Sequence, residues 1–139
     1  MKKIFLFLVL PLFLYAASSE FEVQIYKKIA NTLFPRRTRI YVWSDTPKVY
    51  KILSAIPRVI IVQNKEMADI LFVTHDTTLH TKKMKFVTNY RLLKIYKESA
   101  IGGFYWQKGR PILLFLRKNL QKYHCVLPQG MQKYSEDSI

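Results

Sequence analysis

DILFVT, residues 69–74, is the stretch whose reading decides the fold. Ile70 to Val73 is apolar without interruption, whereas a strand facing water on one side would alternate. The run predicts a strand covered on both faces of a parallel sheet. A parallel sheet needs crossover elements, so the flanking sequence must supply strands and helices in alternation.

Upstream it does. Val59–Val62 (VIIV) reads as a second buried strand and Arg39–Trp43 (RIYVW) as the first. Between them, Ser44-Asp45-Thr46-Pro47 starts a helix: Asp45 or Thr46 caps it, and Pro47 fits the first turn, where no N–H is needed. Val49, Ile52, Leu53 and Ile56 then recur at i, i+3, i+4 and i+7, one buried stripe, until Pro57. Residues 20–34 predict an earlier amphipathic helix with Ile25, Tyr26, Ile29, Ala30 and Leu33 inward and Lys27-Lys28 outward. Pro35 ends it by steering its predecessor out of the α region. Asn64–Ala68 is a connector with room for one helical turn.

Downstream, Lys85–Thr88 (KFVT) reads as a fourth strand and Tyr90–Tyr96 as a short helix. The glycine pair in AIGGFYWQKGRP, residues 100–111, invites comparison with a phosphate-binding loop. Such a loop runs from a strand into a helix N-terminus and needs G-x-G-x-x-G. Here Gly102-Gly103 precedes Phe104-Tyr105-Trp106, residues that favour strands. Gln107–Arg110 makes a tight turn and Ile112–Leu116 (ILLFL) returns, so the glycines sit before a hairpin, at a bulge or a close backbone approach. Lys118–Cys125 follows as a helix with Leu120 and Tyr123 inward, then one further turn over Gln129–Tyr134. Ser135–Ile139 reads as a polar, frayed tail. The expected fold is a single small layered α/β domain. Its sheet is mostly parallel with flanking helices, and a C-terminal β-hairpin is followed by a short helix.

The N-terminus addresses the compartment. Met1-Lys2-Lys3, the uncharged run Ile4–Tyr15 and the small residues Ala16-Ala17-Ser18-Ser19 form the order of a secretory signal peptide. Residues 1–18 are read as that signal and 19–139 as one exported, periplasmic binding domain, with a core of its own. Cys125 is the one cysteine, so no internal disulfide supports it. Removing Lys2 and Lys3 from 23 basic residues leaves 21 against 9 acidic ones, a net charge near +12. That field suits an acidic protein face or an anionic membrane surface. The cations are scattered and the aromatics fall in strand-like runs, which argues against nucleic acid.

The order of elements over residues 22–134 resembles the YfiR-like family of small exported α/β proteins. Asp69–Val73 is similar to that family's buried central strand and Lys85–Thr88 to the next one. Gly102-Gly103 before a hairpin, Arg110, and Asn119-Leu120 in the last helix resemble its C-terminal pattern. The chain departs from the family in Arg117-Lys118 before Asn119, in Pro111, in lacking cysteine pairs and in its shorter loops. The resemblance implies an exported accessory or regulatory protein acting on the external part of a membrane-bound sensor or signalling protein.

Candidate chemistry is sparse. There is no G-x-S-x-G elbow, and Cys125 has only its neighbour His124 as a base, about 100° away around a helix. His75, Asp76 and His80 lack the spacing of a metal site and read as loop residues. The expectation is a binding module without catalysis, cofactor or metal. Phe104, Tyr105, Trp106 and Arg110 are the partner-contact candidates. Phe104 and Trp106 share one face of the hairpin, and if that pair enters the core, Tyr105, with Tyr41 or Trp43, lies nearer the surface. The alternative is a small solute- or anion-binding protein. In a parallel sheet ligands bind beyond the carboxyl ends of the strands, where Ser44, Thr46, Thr77 and Asn89 would line a pocket. Helix caps and turns select the same residue types.

Overall fold

The computed structural model describes residues 20–137 and 139; the segment read as a signal peptide lies outside these. Residues 20–33 are helical (α1), followed by β1 (Ile40–Ser44), α2 (Pro47–Ser54), β2 (Val59–Ile61) and a single 3-10 turn, Lys65–Met67. Then come β3 (Ile70–Val73), β4 (Lys85–Val87), α3 (Tyr90–Ile95), β5 (Ala100–Gln107), β6 (Arg110–Leu116) and α4 (Arg117–Lys122). A 3-10 segment, Gln129–Tyr134, leads to β7 (Ser135–Glu136). The seven strands form one sheet in the order β2-β1-β3-β4-β5-β6-β7, parallel throughout except for the β5–β6 hairpin.

Period-two side chains divide the interior into two layers. Ile40, Val42, Ile70, Phe72 and Phe86 face one side, covered by Tyr26, Ile29 and Leu33 of α1 and by Val49, Ile52 and Leu53 of α2. Each such side chain contributes about 1.5–3 kcal/mol on burial. Leu71, Val73 and Val87 face the other side, under Leu92 and Leu93 of α3. All four residues of β3 are buried, as their unbroken apolar run predicts.

Four expectations change. VIIV is the edge strand of the sheet rather than a buried one, and Ile60 is 37% exposed. Gly102-Gly103 lies inside β5, not before the hairpin. Ile101 is the extra residue where the β4–β5 register shifts, so a bulge directly precedes the pair. A Cβ on Gly102 would collide with the Leu114 carbonyl oxygen of β6, and one on Gly103 would come within 3.1 Å of Val87. The last helix ends at Lys122, before Cys125. The first two residues of the polar tail, Ser135 and Glu136, are not frayed but pair with Phe115 and Leu116 of β6 as a seventh strand.

The link from β3 to β4, residues 74–84, joins two parallel neighbours without a helix. Side chains from the rest of the fold hold it instead. The Asp45 carboxylate accepts the backbone N–H groups of Thr74, His75 and Asp76 at 2.8–2.9 Å. Asn89 Nδ2 donates to the Thr74 carbonyl at 3.0 Å, and the Tyr96 hydroxyl accepts from the Leu79 N–H at 3.1 Å. Lys85 closes the far end. Its ammonium, on a fully buried residue, donates to the carbonyls of Thr81 (2.8 Å) and Lys83 (2.9 Å) and to Ser99 Oγ (2.8 Å).

Candidate functional site

Chain order reverses between β1 and β3: β2 lies to one side of β1 and all later strands to the other. Outside the carboxyl ends of strands at such a switch point the diverging connections leave a crevice. A pocket of about 260 Å³ opens there. Thr46, which follows β1, Thr74, which follows β3, and Thr88, which follows β4, form its polar side. Val49 and Ile52 of α2, Tyr26 of α1 and Phe104 of β5 form its apolar side. Glu22, Lys48 and Trp106 complete the lining, and Tyr105 borders it.

The hydroxyls have defined roles. Thr46 caps α2 by accepting the Val49 N–H at 3.2 Å, which leaves its own proton free to donate. Thr88 Oγ1 donates to Thr74 Oγ1 at 2.9 Å. Tyr26 is 4% exposed and stacks edge-on against Phe72 and Phe104, at 5.6 and 6.2 Å. Burial, with Glu22 nearby, raises its hydroxyl well above the ordinary tyrosine value, so it stays a neutral donor. That hydroxyl has no hydrogen-bond partner among the described residues, and it is not sealed from the pocket Tyr26 lines.

The aromatic candidates of the hairpin separate. Phe104 is a core residue, 4% exposed, and is corrected from contact to floor. Trp106, on the same face, is 49% exposed at the mouth of the pocket; the pair does not enter the core together. Phe21 of α1, 40% exposed, packs 6.2 Å from Trp106 and extends that apolar rim. Tyr105 points to the opposite face, its ring 5.8 Å from Tyr90. Arg110 is exposed and pairs with Gln107 at the hairpin tip, where Lys108 (φ 51°) and Gly109 (φ 76°) turn the chain.

Of the four ligand candidates Ser44, Thr46, Thr77 and Asn89, Thr46 alone lines the pocket. Ser44 is 2% exposed and accepts from the Thr46 N–H; Asn89 caps α3 through the Leu92 N–H; Thr77 is exposed on the β3–β4 loop. Sequence reasoning missed Tyr26, Glu22 and Lys48, because nothing in a helix pattern tells which end of the sheet its residues reach. It left the α2 cap open between Asp45 and Thr46; Thr46 caps, and the Asp45 carboxylate binds the neighbouring loop.

Elsewhere the chemistry is quiet. Burial pushes the Cys125 thiol up, away from the reactive thiolate, and its sulfur lies 3.7 Å from Met84 Sδ. Among the described residues no three His, Cys, Asp or Glu side chains are grouped to share a metal ion, and no helix is long and apolar enough to cross a membrane. A wider, shallower depression lies between Phe34, Asp69, Lys83 and Tyr123, where Lys83 is occupied with the Ala68 carbonyl at 2.9 Å.

No protein-family model and no curated protein sequence matches the chain. In fold it is similar to the crystal structure of a conserved domain protein from Vibrio cholerae O1 biovar El Tor, with a TM-score of 0.55 at 8% identity. The likeness covers 81% of this chain and 58% of that one, and at this identity it carries the fold alone.

Proposed function

We propose that the chain is an exported accessory or regulatory protein that binds, without catalysis, the external part of a membrane-bound sensor. The signal-like leader, the resemblance to YfiR-like proteins and the net positive charge support this reading. The observation that carries it is Trp106, half exposed towards the end of the β5–β6 hairpin and backed by Phe21 and Phe104. A large aromatic ring standing beside an open apolar pocket is the composition of a binding hot spot, and Arg110, exposed at the hairpin tip opposite Gln107, adds a cation to the same hairpin. The partner would seat an apolar side chain against Trp106 and set an acidic group near Arg110. The periplasm is the compartment in which this contact would form.

The test is affinity capture of the tagged protein from gently solubilised membranes of its own cell. The wild type is expected to retain one membrane signalling protein. Trp106→Ala and Arg110→Ala together should lower that recovery at least tenfold, because central aromatic and arginine anchors carry most of an interface's energy. Equal recovery with both proteins would remove the hairpin from the interface.

A further inference from the structure

The pocket under Trp106 is built to hold more than a protruding side chain. We propose that it binds a small zwitterion, an α-amino acid with an apolar or aromatic side chain. This does not depend on the membrane partner. Three observations converge on it.

The first is position: the pocket occupies the switch point between β1 and β3, and at about 260 Å³ it suits one small ligand rather than a cofactor. The second is the unpaired Tyr26 hydroxyl. It has no protein partner among the described residues and is open to the pocket rather than sealed, so its proton is free to donate to a ligand oxygen. The third is charge. Lys48 makes no ion pair among the described residues, and Glu22 sits on the same pocket. A simple carboxylate would meet Glu22, and a simple amine would meet Lys48; a molecule carrying both groups satisfies each. Its carboxylate goes to Lys48 and the Thr46 hydroxyl, its ammonium to Glu22, and its side chain to the wall made by Phe104 and Trp106.

Isothermal titration of the purified protein with L-phenylalanine, phenylacetate and phenethylamine tests this. Trp106 emission in a Trp43→Phe background provides a second readout at the site itself. L-Phenylalanine is expected to bind at least tenfold more tightly than either singly charged analogue and to shift the Trp106 emission. Tyr26→Phe and Lys48→Met, checked for native circular dichroism, are each expected to weaken it about tenfold. The proposal is overturned if L-phenylalanine does not bind the folded protein at millimolar concentration, or if an analogue matches it. Binding that both variants leave unchanged would also overturn it, since the ligand would then lie elsewhere.

Discussion

A lysine in the middle of a sheet is a costly choice, because desolvation disfavours its charge. Lys85 retains an ammonium there by giving it three oxygen acceptors and the face of the Tyr96 ring, 5.2 Å away. Burial, reinforced by Lys122, pushes its pKa down to about 8 from the ordinary 10.5. Between those two values the unfolded chain holds more of this proton than the folded one, so this residue's contribution to stability rises with pH and is lost as pH falls through 8. Lys85→Met should cost about 1–3 kcal/mol at neutral pH by stranding the acceptors. The gap between wild type and variant should then widen from pH 8 towards 10, at up to about 1.4 kcal/mol per unit. Urea midpoints of both proteins at pH 7 and 9.5 measure it; a constant gap would mean that Lys85 titrates as an exposed lysine. Nothing in KFVT marks its first residue as buried. The reason lies in the helix-free β3–β4 link, which needs an internal anchor.

The β5–β6 hairpin carries the site, and its shape depends on Gly102. The residue is required for space rather than for an unusual backbone angle, because the β6 backbone lies where a side chain would begin. Gly102→Ala should therefore cost about 1–3 kcal/mol, the range for overpacking a fixed interior, and more than Gly103→Ala, whose new methyl would stand 3.1 Å from the Val87 side chain and carbonyl oxygen, a tight contact rather than an overlap. Thermal unfolding of the two variants checks the order; equal midpoints would show that the hairpin can shift. Elements with strong local signals were legible in the sequence: the α2 stripe with its Thr46 cap, the apolar β3 run, the two-residue turn before Arg110. Those whose nature depends on neighbours were not. VIIV reads as apolar wherever it lies, and only the strand order makes it an edge. Ser135 and Glu136 have no strand character of their own and are recruited by the free side of β6.

On the scale of the whole molecule, the candidate site is a convergence. Thr46 and the hairpin aromatics belong to two rival readings of the sequence, a solute site and a partner surface. The sheet places them on one pocket at its carboxyl edge. The meeting of the β1, β3 and β4 loops there was foreseeable from a parallel sheet. The arrival of Tyr26 and Glu22 was not, because it depends on the angle at which α1 crosses the strands. We infer that this edge, with Trp106 at its mouth, is where the protein meets its partner. Photo-crosslinking in intact cells tests that most directly, with a benzophenone amino acid at position 106 and a control at Val126. The control is 84% exposed and lies at the other end of the sheet, next to Cys125 and its contact with Met84 before β4. One discrete adduct with a membrane protein is expected from position 106 and none from position 126. No adduct from 106, or the same adducts from both positions, would contradict it.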